Sequence, residues 1–152
     1  MFEPLFRARP WALLPNTSPL CQQASVHLAD LADMPMVMLD LPGAVEYYTG
    51  IFETAGLSPR VVHSTKSSSV IRGLVGAGFG FSLLNICHPD ERDGRPGYFA
   101  IPLADDVFEP TYGIAYPAAM QHSTLVRAVI ETAQTLVRDG GYEHLRLSRL
   151  DT

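Results

Sequence analysis

The segment from Ser64 to Asn85 constrains the fold of this chain more than any other stretch. It reads in order as a strand end, a serine-rich helix start, a short helix, a glycine stop and a buried strand. The apolar residues at helical spacing on one face of that helix are Val70, Ile71, Leu74 and Val75. Gly76 and Gly78 follow, where a helix end favours positive φ, and Phe79–Leu84 is a short apolar run. This order is typical of half of a parallel βαβ sheet.

The same glycines form the pattern Gly76-x-Gly78-x-Gly80, which looks like part of a nucleotide-binding fingerprint. Phosphate-binding glycines lie between a strand and the N-terminus of the next helix, where backbone N–H groups face the anion. Here the glycines lie between a helix end and the next strand, so the pattern argues against a dinucleotide site. The end of this helix that suits an anion is Thr65–Ser69, where hydroxyl groups and unbonded amides coincide.

The charge of the chain argues against nucleic-acid binding by these residues themselves. The net charge is −5, and the single lysine, Lys66, accompanies ten arginines that are scattered along the sequence. Binding to phosphates needs a basic face. The 152 residues, of which 47% are hydrophobic and 18% charged, are enough for one soluble domain with a sizeable core.

Membrane insertion, secretion and metal binding find no support in the sequence. No apolar run reaches the length of a membrane span, and residues 1–7 lack a cationic start followed by an apolar core. A cytoplasmic protein is therefore expected. Cys21 and Cys87 are too few for a disulfide framework, and the five histidines never fall at a ligand spacing. We expect neither a metal nor a cofactor.

Strands and helices alternate along the chain. The predicted strands are 11–14, 36–39, 60–64, 79–84, 98–103 and 112–116. The predicted helices are a short turn at 26–31 capped by Ser25, a three-turn helix at 45–55, the helix after Thr65, and a strong apolar stripe at 125–137. This alternation predicts a three-layer α/β fold with a mainly parallel sheet.

Three blocks of the sequence resemble the ligand-sensing domain of LysR-type transcriptional regulators. They are Leu28–Pro35 (LADLADMP), Phe52–Val62 (FETAGLSPRVV) and Val70–Leu84 (VIRGLVGAGFGFSLL). Together, in this order, they are more specific than any one block. The resemblance extends roughly from Leu5 to Val137.

The resemblance implies a fold like that of periplasmic binding proteins, with two α/β lobes, two crossing strands and a small effector in the cleft. Residues 34–103 would form the second lobe. The crossing strands and the remainder of an incomplete first lobe would come from residues 5–33 and 104–138, and residues 139–152 would form a tail. The family's winged helix-turn-helix, linker helix and opening elements have no counterpart before Met1, so the chain is expected to be an N-terminally truncated effector-binding domain. Asn85 also departs from the family, which often has proline there.

Candidate effector-binding residues follow from the carboxyl ends of two predicted strands. The loops 41–44 and 65–68 both follow strands and open helices, and ligands of open α/β sheets settle at such ends. By position Gly43, Thr65, Ser67 and Phe81 resemble cleft residues of the family. Plain N-capping is an equally good explanation of Ser67, and core packing is the better explanation of Phe81. The offered groups suit a small carboxylate or related anion.

No grouping of residues indicates catalysis, and we expect no enzyme. Ser82 lies within a predicted strand instead of at a nucleophile elbow. The expected function is therefore effector sensing and dimerisation in a LysR-type regulator, with DNA contacted only through a domain absent from this chain. The alternative is a stand-alone small-anion-binding protein or an uncharacterised α/β enzyme. A homodimer is expected, since the family pairs its lobes and the stripe at 125–137 would lose part of its cover in a truncated lobe.

Overall fold

A computed structural model describes residues 1–143 and the backbone of Ser148–Arg149. The strands are, in chain order, β1 (Phe2–Arg7), β2 (Trp11–Pro15), β3 (Pro35–Leu39), β4 (Arg60–Thr65), β5 (Ser82–Leu84), β6 (Tyr98–Pro102), β7 (Thr111–Ala115) and β8 (Ser148–Arg149). The α-helices are α1 (Leu28–Leu31), α2 (Ala44–Thr54), α3 (Ser68–Gly76) and α4 (Thr124–Arg138). No helix of this part of the chain is long and apolar enough to cross a membrane.

The chain divides into two compact units, each described here by itself. The central unit is Pro10–Phe108, and the terminal unit is Met1–Arg9 with the described residues from Glu109 onward. The sequence led us to expect a lobe at 34–103. The central unit starts earlier because β2 pairs with β5 on one side and with β6 on the other, which makes residues 11–15 part of its sheet.

The sheet of the central unit runs in the order β4-β3-β5-β2-β6. β3 pairs with β4 in parallel, and a parallel bridge between Met36 and Phe81 joins β3 to the start of β5. β2 is antiparallel to both β5 and β6, so β3, β4, β5 and β6 all point the same way. The carboxyl ends of these four strands share one edge. The sheet of the central unit is mixed, because the β3–β4 ladder is parallel whereas both ladders of β2 are antiparallel.

Two crossovers of the central unit run in opposite directions across this sheet. The connection β3-α2-β4 leads from β3 to its neighbour β4 at the edge of the sheet. The connection β4-α3-β5 leads back in the other direction and passes over β3 to reach β5. Because such crossovers are right-handed, α2 and α3 lie on opposite faces, which gives the three layers that the sequence predicts. The α/β fold class that the sequence predicts is confirmed.

The core of the central unit consists of apolar side chains from β2, β3, α2 and α3. Trp11 to Leu14 and Met36 to Leu39 are buried throughout. α2 buries Tyr48, Ile51 and Phe52. α3 buries Ile71 and Val75, whereas Val70 of the predicted apolar stripe is 48% exposed. Val70 lies at one side of the stripe and the buried pair Ile71 and Val75 at the other, so the face of α3 that meets the sheet leaves Val70 outside.

Two element boundaries differ from the sequence predictions. The short helix α1 begins after His27 instead of Ser25, because the Asp105 carboxylate accepts a hydrogen bond from the Leu28 N–H at 2.9 Å. Asp105, 77 positions away, thus caps this end together with Asp30, whose carboxylate accepts from the His27 N–H at 3.2 Å. The predicted strand at 79–84 is reduced to Ser82–Leu84, since Phe79 is 52% exposed and Gly80 has a φ of 148°.

The terminal unit combines an antiparallel sheet with α4. β1 lies between β7 and β8, and α4 packs against β1. Ser123 caps α4, and its Oγ accepts from the Val126 N–H at 3.5 Å. The helix ends at Arg138, as its apolar stripe predicts, but none of its residues is fully buried. The tail that the sequence predicts begins at residue 139. Within it, Ser148–Arg149 forms a short strand paired with β1, and residues 144–147 and 150–152 lie outside the described residues.

Candidate functional site

The carboxyl ends of β3 and β4 meet at one edge of the central unit. The Asp40 N–H donates a 2.9 Å hydrogen bond to the Thr65 carbonyl, which ties the loop after β3 to the loop after β4. These adjacent loops enter helices on opposite faces of the sheet. Open α/β sheets form ligand-binding crevices at such a point. Three of the four candidate residues, Gly43, Thr65 and Ser67, lie at this edge.

Gly43 is the N-cap residue of α2 and has a φ of 79°, in the left-handed region. A side chain is strained in that conformation, which explains glycine here. A Cβ would have no heavy atom within 4 Å, so the requirement comes from the backbone and not from crowding. Glu46 occupies the first turn of α2 and reduces the attraction of this helix end for an anion.

The start of α3 offers hydroxyl groups and no carboxylate. Ser67 caps the helix, with its Oγ accepting from the Val70 N–H at 3.4 Å, and the Thr65 Oγ1 accepts from the Ser67 N–H at 3.3 Å. The first turn contains no acidic residue, and Lys66 is exposed beside it. Because both hydroxyl oxygens act as acceptors for the backbone, their protons remain available to a bound acceptor such as a carboxylate.

Phe81 lies elsewhere in the unit. It pairs with Met36 at the start of β3, so it is at the amino end of the parallel strands, and its exposed fraction is 0%. Its ring packs against Phe52 of α2, with 6.4 Å between ring centroids. The structure therefore does not bring Phe81 to the edge formed by Gly43, Thr65 and Ser67, and its packing is that of a core residue.

A buried polar network adjoins the same edge. Asn85, which follows β5, is 4% exposed; its Oδ1 accepts from the Tyr48 hydroxyl at 2.7 Å, and its Nδ2 donates to the Tyr47 hydroxyl at 3.1 Å. The Tyr47 hydroxyl in turn donates to the Phe108 carbonyl at 2.9 Å. Asn85 thus orients both tyrosines of α2. Sequence reasoning singled out Asn85 only as a departure from a family pattern and missed this role.

A second polar cluster joins α3 to the loop after β5. Glu91 is 2% exposed and forms an ion pair with Arg72 of α3, while the Tyr98 hydroxyl donates to it at 2.6 Å and the His88 N–H donates to its other oxygen. Arg72 also donates to the Ile86 carbonyl at 3.0 Å. This cluster fixes the loop 86–97 to the helix that carries Ser67.

The pKa values in this cluster follow from burial and hydrogen bonding. Burial alone raises the pKa of Glu91, but the hydrogen bonds from Arg72, Tyr98 and His88 outweigh it, so the pKa lies below its usual value. Burial and the hydrogen bond to Glu91 raise the pKa of Tyr98. Burial, together with the Glu91 charge, raises the pKa of the Cys87 thiol to about 12. A thiol in this state is not a nucleophile near neutral pH.

Ser82 and the two cysteines are the other side chains considered as nucleophiles. The Ser82 hydroxyl is fully buried and donates to the Val37 carbonyl at 2.7 Å. Neither Cys21 nor Cys87 forms a disulfide bond. Over the described residues, no cluster of histidine, cysteine, aspartate or glutamate could hold a metal ion.

Comparison with known protein families identifies the family to which this chain belongs. The sequence matches the family model of the LysR substrate-binding domain over residues 2–138. The chain belongs to the LysR substrate-binding domain family. The region matched contains the whole central unit, most of the terminal unit and every candidate residue described above.

Solved structures agree with this LysR assignment. HinK, a LysR family transcriptional regulator from Pseudomonas aeruginosa, is 33% identical, with a TM-score of 0.82 over 90% of this chain and 48% of HinK. The effector-binding domain of QuiR in complex with shikimate is 15% identical with a TM-score of 0.76, covering 91% of this chain and 66% of that chain.

The effector-binding domain of BenM with its effector benzoate is 23% identical, with a TM-score of 0.71 over 93% of this chain and 65% of that chain. At these identities QuiR and BenM show a shared fold. The LysR substrate-binding domain described here spans about half of the HinK chain. Among curated proteins no sequence matches it.

Proposed function

We propose that this chain is the ligand-sensing and dimerisation domain of a LysR-type transcriptional regulator. The observation that carries the proposal is the family match over 2–138. In this proposal a small carboxylate binds at the carboxyl edge of β3 and β4 and alters how a helix-turn-helix domain, outside this sequence, engages DNA. Such a regulator acts in the cytoplasm and catalyses no reaction.

The chemistry of the edge supports a carboxylate as the effector. Thr65 and Ser67 present hydroxyl protons at the positive end of α3, and Lys66 adds the only ammonium side chain in the sequence. The molecules bound by QuiR and BenM, shikimate and benzoate, are both small carboxylates. Gly43 would let the backbone of the α2 start approach the ligand from the other loop.

Replacing Ser67 by alanine tests this site. We expect the variant to lose about 1 kcal/mol of stability, because Ser67 caps α3, and to bind carboxylates more weakly than the native chain. For the native chain, a ligand at a hundred times its dissociation constant raises stability by about 2.7 kcal/mol. Thermal melts with a panel of small carboxylates up to millimolar concentration, including shikimate and benzoate, measure both effects.

Ser123→Ala is the matched control for this experiment. Ser123 caps α4 in the same way as Ser67 caps α3, so its loss costs similar stability without removing a proposed ligand contact. Equal loss of carboxylate binding in both variants would show that the effect comes from stability alone. If no carboxylate of the panel changes the melting temperature or the Trp11 fluorescence of the native chain, the proposed site is contradicted.

Self-association is the second part of the proposed function, and exposed apolar groups support it. In the terminal unit, Leu125, Val129 and Leu136 are 71%, 49% and 47% exposed on one stripe of α4. In the central unit, β4 has β3 on one side and no strand among the described residues on the other. Its Val61 and Val62 are 44% and 42% exposed. Surfaces of this kind are normally covered by another chain.

We expect the chain to form dimers at tens of micromolar in sedimentation experiments, and the double substitution Leu125→Lys, Val129→Lys to shift it towards the monomer. Lysine in the stripe places two charges in the proposed contact, where desolvation opposes association. Ala128→Lys, between Arg127 and Val129 but off the stripe, is the control and should leave the dimer intact. A native chain that sediments as a monomer at this concentration would contradict the proposal.

A further inference from the structure

A pocket of about 440 Å³ lies along α2, and its lining does not include Gly43, Thr65 or Ser67. One wall is α2 itself, from Glu46 to Ala55, and the other is the segment 105–108 that follows β6. Leu28 and Ile51 form an apolar floor and are 1% and 5% exposed. This volume lies within the range of small-molecule sites, about 300–1,000 Å³.

The aromatic side of the pocket is held in place before any ligand arrives. The Tyr47 hydroxyl accepts from the buried Asn85 side chain and donates to the Phe108 carbonyl. The Tyr47 and Phe108 rings meet edge to face, with 6.4 Å between their centroids. A wall whose rotamers are already fixed costs little entropy when a ligand binds. The unusual Asn85 therefore acts on this pocket through Tyr47.

The charge of the pocket has one sign. Glu46, Asp105 and Asp106 line it, and none of its described lining residues is lysine, arginine or histidine. The Asp105 carboxylate is held by the Leu28 N–H, with the His27 ring 3.7 Å away. Carboxylates beside aromatic rings attract an organic cation, since the ring faces add cation–π attraction. The same carboxylates repel an anion of equal size.

The geometry points to this pocket as an accessory binding site for a small organic ammonium ion with an apolar or aromatic body. The ammonium lies among Glu46, Asp105 and Asp106, and the apolar body rests on Ile51 and against Tyr47. This ligand class is opposite in charge to the carboxylate proposed for the edge at Ser67. The segment 105–108 that forms one wall is the last part of the central unit.

Titration calorimetry of the chain with 2-phenylethylammonium at pH 8 tests the site. We expect saturable binding, and none for 3-phenylpropionate, which has a similar body and the opposite charge. The double variant Glu46→Gln, Asp106→Asn should weaken amine binding about threefold to tenfold, because it removes two solvent-exposed charge contacts. Absence of amine binding, or equal binding of the two probes, would overturn the inference.

A second variant blocks the pocket sterically. Gly50 lies on the pocket face of α2 and a Cβ there meets no heavy atom within 4 Å, so Gly50→Leu projects a side chain into the cavity while the helix is kept. We expect loss of amine binding of at least about tenfold. Gly73→Leu, at an equally open glycine of α3, is the control and should bind the amine as the native chain does.

The same titrations separate this site from the proposed effector site. Ser67→Ala should leave amine binding unchanged, and Gly50→Leu should leave any carboxylate-dependent stabilisation unchanged. An amine whose affinity falls in Ser67→Ala but not in Gly50→Leu would place it at the edge of β3 and β4 and overturn the accessory site.

Discussion

Replacing Phe81 by alanine is expected to lower the free energy of unfolding by about 3–5 kcal/mol, the usual range for truncating a buried phenylalanine. Phe81 is fully buried, and its ring packs on Phe52 between the sheet and α2. The substitution leaves a cavity that neighbouring strands cannot close, since their backbones are fixed by hydrogen bonds to Phe81 itself. Urea denaturation followed by the fluorescence of Trp11, the single tryptophan, measures the loss.

Phe79→Ala is the matched control for this prediction. Phe79 lies two positions away, is 52% exposed and touches the His63 ring, so its truncation should cost less than about 1 kcal/mol. Phe81→Leu, which retains most of the volume, separates packing from ligand contact. A Phe81→Leu protein of near-native stability that has lost carboxylate binding would assign Phe81 to the effector site and contradict its description as a core residue.

Replacing Glu91 by glutamine is expected to cost about 3 kcal/mol near neutral pH. The Arg72 guanidinium would lose its buried partner, and breaking such a pair by removing one member costs about 3–5 kcal/mol. The lower end applies because the Arg72 side chain remains 23% exposed to water. The Tyr98 hydroxyl can still donate to the glutamine amide oxygen, whereas the amide NH2 group cannot accept from the His88 N–H. The loss therefore reports the charge together with that hydrogen bond. Urea denaturation at pH 7 gives the value.

The pH dependence of stability gives a second measure of Glu91. Its pKa is lowered in the folded protein, so the stabilisation is fully present above the unfolded-state pKa, about 4.3 for glutamate, and is lost as pH falls through the lower folded-state pKa. Glu91→Gln should therefore differ most from the native chain above about pH 5 and converge with it in stronger acid.

Asp90→Asn is the control for both Glu91 measurements. Asp90 is an exposed neighbour in the same short turn, and its substitution should leave the stability within about 0.5 kcal/mol of the native value. A Glu91→Gln protein that stays parallel to the native chain at every pH would show that the Glu91 charge contributes nothing to stability.

For the candidate site, local sequence patterns predicted the positions that depend on backbone conformation. A serine before an apolar stripe predicted the cap at Ser67, and the loop 41–44 was expected to open a helix after a strand, where Gly43 is the N-cap residue of α2 with a positive φ. These features depend on neighbouring residues in the chain, so they can be read from it. Whether the edge binds an effector stays a prediction.

The patterns did not predict the contacts that join distant residues. Asp105 adds a second carboxylate to the start of α1, Asn85 orients Tyr47, and Glu91 pairs with Arg72, across 77, 38 and 19 positions respectively. The sequence around a polar residue in a loop or at a strand end does not indicate its hydrogen-bond or ion-pair partner. The pocket along α2 was missed for the same reason, because its two walls are far apart in the sequence.

The sequence by itself determined the alternation of strands and helices and the α/β fold class, because hydrophobic periodicity and helix-end residues act over a few positions. The family followed from the resemblance of three sequence blocks, and the match over residues 2–138 confirms it. Only the tertiary structure decided that Phe81 lies at the amino end of the parallel strands, away from Thr65 and Ser67. It also decided that Val70 and Leu125 remain exposed within apolar stripes. Both outcomes depend on strand order and on which faces find a partner, and these are properties of the assembled chain.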